Sequence, residues 1–109
     1  MDKMLKILMV EDTESDAEIE LSLLKRSGLQ FESVVAMTKD EFILYLDQFK
    51  PDLILADNTL PQFNATEALK IIKERLLHIP FILVTGTVSE EFAATIIKLG
   101  ADDYILKDR

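Results

Sequence analysis

The chain reads as an α/β fold, a parallel sheet of five short strands with helices on both faces. Three observations lead there. Short apolar runs recur at Leu5–Val10, Phe31–Ala36, 53–56, 79–84 and 104–106 along the 109 residues. Segments of helical length and composition separate them, and such alternation implies a parallel sheet covered on both sides. The runs at 7–10 and 53–56 are apolar without interruption, as strands buried on both faces are.

The elements follow in order. The first strand, Leu5–Val10, runs directly into Glu11 and Asp12. Each helix then opens on the same signal, a capping residue three before a glutamate: Ser15 with Glu18, Thr38 with Glu41, Asn64 with Glu67, and Thr87 with Glu90. At that spacing the cap oxygen accepts from one exposed backbone N–H and the glutamate reaches back to another. Gly28 and Gly100 stand where the first and fourth helices should end, as glycines in the left-handed closing position do. The expected core faces are Ala17, Leu21 and Leu24, then Phe42 and Leu46, then Ala68, Leu69, Ile72 and Leu76, then Phe92, Ala93, Ile96 and Ile97. Ile19 and Leu23 lie off the main stripe of the first helix and suit a second contact.

Composition narrows the function. The chain is 49% hydrophobic, enough for one domain with a modest core. Twenty acidic residues against 12 basic ones give a formal charge of −8, which repels phosphate backbones and argues against nucleic-acid binding. There is no cysteine, hence no disulfide framework and no thiolate metal site. The apolar runs are too short to span a bilayer or to form a secretory leader. A soluble, intracellular domain is expected.

In open α/β sheets, ligands bind outside the carboxyl ends of the strands. The residues expected there are Glu11 and Asp12, Asp57, Thr85 and Lys107. Each has a simpler reading alone: an acid favouring the next helix terminus, a turn aspartate, a strand-end hydroxyl, a solvated lysine. His78 is expected at the surface, and the acids over 11–20 mostly in capping the first helix and on its wet face. Convergence changes the balance. Three crowded carboxylates repel one another, and without a cation one would tend to hold a proton. A hard divalent ion removes the conflict, and an oxygen-only donor set suits Mg²⁺ rather than Zn²⁺. Lys107 and Thr85 then suit phosphoryl oxygens, which leaves Asp57 as a candidate nucleophile.

At these residues the sequence resembles a response regulator receiver domain, the CheY-like phospho-accepting module of two-component signalling. The resemblance spans the chain and rests on "ILMVED" (7–12), "LILADNTLP" (53–61), "FILVTGT" (81–87) and "GADDYILKD" (100–108). It implies a flavodoxin-like doubly wound sheet of strand order 2-1-3-4-5. It also implies a single receiver domain over 1–109 that stops before its fifth helix. By the resemblance, Asp57 is the phosphoacceptor. Asp12 and Asp57 bind Mg²⁺, Glu11 acts on it largely through water, and Thr59 lends its backbone carbonyl. Thr85 is the switch hydroxyl, Tyr104 the switch aromatic and Lys107 the phosphate-binding lysine. Phosphorylation draws in the hydroxyl, the ring follows, and the face formed by helix 4 and strand 5 is remodelled.

The implied partner is a histidine kinase or a histidine phosphotransfer protein, acting in the cytoplasm. Nucleic-acid binding and membrane insertion by this domain are not expected. The domain is not an enzyme beyond catalysing its own phosphorylation and dephosphorylation. "GTVSEE" and "YILKD" resemble receivers attached to sensory histidine kinases, which suggests a piece of a longer protein. Apolar sheet surface left without its helix would favour a homodimer.

Three features depart from the family. Ala65 stands in the segment after Pro61 where a glycine is usual. Asp108 follows Lys107 where proline is usual, so a cis peptide there would cost about 3 kcal/mol. The fifth helix is the third. Two rival readings remain open: a receiver fold that docks partners without phosphorylation, and an enzyme on a flavodoxin-like fold. The second fits poorly, because "EDTESD" is acidic where a flavin phosphate would bind, and because Asp12 is followed two residues on by Glu14 rather than by the aspartate of a dehalogenase-type phosphatase.

Overall fold

The computed structural model describes residues 4–11, 14–57, 65–85 and 90–106. Strands β1 (Leu5–Val10), β2 (Phe31–Ala36), β3 (Leu53–Asp57), β4 (Phe81–Thr85) and β5 (Asp103–Leu106) alternate with helices α1 (Glu14–Arg26), α2 (Lys39–Gln48), α3 (Ala65–Glu74) and α4 (Glu90–Lys98). All strand pairs are parallel, in the order β2-β1-β3-β4-β5. Among the described residues, no helix follows β5 and none is long and apolar enough to cross a membrane.

Successive strand side chains point to opposite faces, so an uninterrupted apolar strand feeds two cores. Leu8, Val10, Ile54, Ala56, Phe81 and Leu83 pack with Phe42 and Leu46 of α2, with Ala68, Leu69 and Ile72 of α3, and with Ile96 of α4. The alternate residues Ile7, Met9, Leu55 and Val84 pack with Ala17 of α1, flanked by half-buried Leu21 and Leu24. Ile19 and Leu23 are exposed, as their place off the stripe implies.

The capping boxes fare unevenly. Thr38 caps α2 as expected: its hydroxyl accepts the Glu41 N–H at 3.2 Å, and the Glu41 carboxylate accepts the Met37 N–H at 2.9 Å. The first box is corrected, because α1 already begins at Glu14 and Ser15 is a helical residue rather than a cap. The fourth is shifted, since α4 begins at Glu90, two residues later than a Thr87 cap implies. Asn64 and Thr87 themselves lie outside the described residues.

Two core assignments are also corrected. Leu76 continues the apolar spacing of α3, yet the helix ends at Glu74 and Leu76 is 80% exposed. Its φ of 56° is left-handed. The Leu76 N–H donates to Lys73 O and the Leu77 N–H to Ile72 O, each at 3.1 Å. That pair of bonds is a Schellman turn, which swings Leu76 outward and lays Leu77 back on the core beside Ile72. Ile97 is 41% exposed while its neighbour Ile96 is fully buried. The two lie about 100° apart around the helix, and the side chains of Phe92 and Ala93, also expected on the core face, lie outside the described residues. Gly28 and Gly100 close α1 and α4 at φ 88° and 113°, as expected.

β4 starts at Phe81 rather than at residue 79. Pro80 has no N–H to donate to a ladder; it contributes only its carbonyl, which accepts the Ile54 N–H at 2.9 Å.

Candidate functional site

The sheet register builds the site. Val10 pairs with Ala56, so Glu11 and Asp57 follow at the same level on neighbouring strands. Asp57 pairs with Val84, placing Thr85 one residue beyond it on the next strand, and Thr85 pairs with Leu106. Parallel strands lie about 4.8 Å apart. Glu11, Asp57 and Thr85 therefore stand on three adjacent strands at one carboxyl edge.

Glu11 is the described side chain that departs most from ordinary surface chemistry. It is 1% exposed, the one buried charged residue among those described. Its backbone N–H donates to Ala36 O at 3.1 Å and extends the β1–β2 ladder. Burying a carboxylate is costly unless nearby groups or a cation compensate. Of the acids over 11–20, Glu18 is exposed as a wet-face residue should be, whereas Glu11, expected at the strand end, is buried. Glu11 lies three residues before the first residue of α1.

Asp57, Thr85 and Tyr104 are placed through their backbones: the first two end β3 and β4, and Tyr104 pairs with Leu83 inside β5. Asp12, Thr59 and Lys107 lie outside the described residues, as does the peptide between Lys107 and Asp108. Among the described residues, no three His, Cys, Asp or Glu side chains gather as a metal cluster. What is described fits Mg²⁺ in kind: Glu11 brings a hard oxygen donor to the edge where β3 ends in Asp57, without thiolate or imidazole. His78 is exposed in the α3–β4 connection at the amino edge of the sheet, away from this site.

Ala65 proves to be the first residue of α3, not part of a preceding loop, and is fully buried in the core beneath α3. It is not among the left-handed residues, so no glycine is needed there and the methyl group fills core space. An open depression lined by Ala17, Leu21, Val35 and Met37, with Glu18 and Glu41 beside them, lies between α1 and α2 and includes none of the expected site residues.

Asp52 and Asp102 went unremarked in the sequence. Each precedes a strand that leads to the site and hydrogen-bonds the neighbouring strand. The recognisable signal is an aspartate just before a strand and two residues after a helix-closing position, in "KPDL" and "GADD".

Comparison with known proteins bears on the family and the fold. Residues 7–109 match the family model described as response regulator receiver domain. The chain is similar to the alkaline phosphatase synthesis transcriptional regulatory protein PhoP of Bacillus subtilis, 35% identical over 103 residues, covering 94% of this chain and 42% of PhoP. The chain spans less than half the length of curated relatives such as this one. Among solved structures it resembles the phosphorylated cyanobacterial phytochrome response regulator RcpA, with a TM-score of 0.82 and 30% identity over 97% of this chain and 82% of that one. The BeF3-activated N-terminal receiver domain of Klebsiella pneumoniae RstA aligns with a TM-score of 0.82 and 27% identity, covering 95% of this chain and 86% of that one.

Proposed function

The chain belongs to the response regulator receiver domain family, and from that premise we propose that Asp57 accepts a phosphoryl group from a histidine kinase or a histidine phosphotransfer protein. Receiver domains of this family are homologous to the response regulators of two-component systems, which accept phosphoryl groups on aspartate. The observation that carries the assignment to Asp57 is the register: β3 ends in Asp57 level with buried Glu11 on one side and beside Thr85 on the other.

In this reading Asp12, Asp57 and the Thr59 carbonyl would hold Mg²⁺, with Glu11 acting largely through water, and the ion would supply positive charge to offset the phosphoryl oxygens. One Asp57 carboxylate oxygen forms the new O–P bond as the donor's P–N bond breaks, and the histidine leaves as imidazole. The Lys107 ammonium and the Thr85 hydroxyl hold the remaining oxygens. The rigid strand ends supply position, and the charges supply stabilisation. Thr85 then moves toward the phosphoryl group and Tyr104 follows, which biases the face formed by α4 and β5 between two states. The domain acts as an acceptor that catalyses at most its own phosphorylation and dephosphorylation. A cytoplasmic place of action suits a kinase donor, and the charge of −8 suits a domain that does not itself bind nucleic acid.

The test is incubation of the protein with a small phosphodonor and Mg²⁺, followed by intact mass. Wild type gains one phosphoryl group and Asp57→Asn gains none. No gain on wild type, or an equal gain on the variant, refutes the reading and leaves a docking module that works without phosphorylation.

A further inference from the structure

Two of the helix-to-strand returns are built alike, and they are the ones leading into β3 and β5. At the end of α2, Lys50 takes φ 54°, buried Pro51 follows, and Asp52 precedes β3. At the end of α4, Gly100 takes φ 113°, buried Ala101 follows, and Asp102 precedes β5. In each return one aspartate makes two bonds to a single residue of the adjoining strand. The Asp52 N–H donates to Lys6 O at 2.7 Å, and its carboxylate accepts the Lys6 N–H at 3.0 Å. The Asp102 N–H donates to Phe81 O at 2.9 Å, and its carboxylate accepts the Phe81 N–H at 2.8 Å.

The geometry explains the side chain's part. In a parallel ladder a residue accepts from one N–H on the neighbouring strand and donates to the carbonyl two residues earlier. Here that earlier residue is Lys50 or Gly100, which has turned left-handed to close its helix. The carboxylate takes the place of the missing carbonyl. The described residues of the other two returns use backbone carbonyls instead, with Leu5 N–H donating to Gln30 O and Ile54 N–H to Pro80 O.

Register needs such a device in this sheet. A strand apolar on one face resists slipping because a one-residue shift exposes its core side. β1 and β3 are apolar on both faces, so burial alone discriminates poorly between registers. A directional bond at the strand entrance discriminates well. Glu11 lies five residues beyond Lys6, Asp57 five beyond Asp52, Thr85 four beyond Phe81 and Lys107 five beyond Asp102.

We infer that Asp52 and Asp102 are positioning residues for phosphoryl transfer. Asp52 sets the level of Asp57 against Glu11, and Asp102 sets the strand that leads to Lys107 against Thr85. The inference rests on the receiver reading above. A one-residue slip moves a strand end by about 3.3 Å, well beyond the displacement of about 1 Å that already slows a positioned reaction.

The experiment compares Asp52→Ala, Asp52→Asn, Asp102→Ala and Asp102→Asn in the full chain, with the core variant Ile72→Val as a stability control. It reads Mg²⁺ affinity by calorimetry and Asp57 phosphorylation by intact mass at saturating Mg²⁺. Asp52→Ala weakens Mg²⁺ binding by about tenfold, because it frees the strand that carries a metal ligand. Asp102→Ala leaves Mg²⁺ affinity within about twofold yet slows phosphorylation by about tenfold or more. The asparagine variants keep the acceptor oxygen and behave as wild type, and Ile72→Val keeps the wild-type rate.

Alanine variants with wild-type affinity and rate overturn the inference while leaving the acceptor reading intact, and so do asparagine variants as impaired as alanine. Loss of rate in Ile72→Val equal to that in the alanine variants also overturns it. A wild type that takes no phosphoryl group refutes the acceptor reading, and the Mg²⁺ arm still tests Asp52. If the alanine variants do not fold, amide exchange in wild type decides: Lys6 and Phe81 N–H groups are protected like the strand interiors, and exchange at the rate of open amides overturns the proposal.

Discussion

Leu76 combines two unfavourable states, a left-handed backbone at φ 56° and 80% exposure. Left-handed φ costs a non-glycine residue roughly 1–2 kcal/mol, and glycine gives back part of that through its own backbone entropy. Leu76→Gly should therefore stabilise the protein by about 0.5–1 kcal/mol, read as a higher urea midpoint with an unchanged slope. An unchanged or lower midpoint would mean that the exposed leucine has a stabilising contact. Gly100 shows the same need from the other side. At φ 113° a side chain is strained, and an added Cβ would also meet the Lys73 side chain. At both positions the helix-closing role was readable only where a glycine advertised it. Leu76 kept helical spacing in the sequence, and its turn is decided by the bonds from Leu76 and Leu77.

At the scale of elements, α2 shows how much a local signal can determine. Its cap was legible because both halves of the box act within five residues of chain, from Met37 to Glu41. Thr38→Ala should cost about 1 kcal/mol by leaving the Glu41 N–H without its acceptor. Chemical denaturation is the check, and a loss indistinguishable from zero would show water replacing the cap. The same pattern at Ser15 was misleading. α1 begins at Glu14, two residues earlier than a Ser15 cap implies. Where a helix starts depends on how the preceding strand delivers the chain, and local spacing does not carry that information. Helix ends inferred from sequence shift by one or two residues for this reason.

The whole molecule is a sheet with a chemically different face at each edge. The amino edge is occupied by helix-closing turns and by the two aspartate returns, and the carboxyl edge collects Glu11, Asp57 and Thr85. A ligand held between strands at that edge ties several elements together, so binding couples to global stability. Mg²⁺ at a hundred times its dissociation constant should stabilise the fold by about 2.7 kcal/mol, raising Tm by roughly 10 °C. Asp12→Asn should reduce that rise. Thermal melts with and without Mg²⁺ check the expectation, and an equal rise in both proteins would count against a metal held by Asp12. Each face of the sheet also has its own core, with Phe42, Phe81 and Ile72 on one side and Ile7, Met9 and Ala17 on the other.

Taken by itself, the sequence determined the alternation of elements, the parallel sheet and the chemistry of the strand ends. Those follow from apolar periodicity and from residue type, both of which are local. It also singled out Glu11, Asp57 and Thr85 without showing their relative levels. Tertiary structure decided the level of each strand, the burial of Glu11, the outward turn of Leu76 and the placement of Ala65 inside α3. Register is a relation between strands that lie far apart in the chain, and no window of sequence contains it. Here it is held partly by Asp52 and Asp102, whose bonds to Lys6 and Phe81 form only once the sheet has assembled.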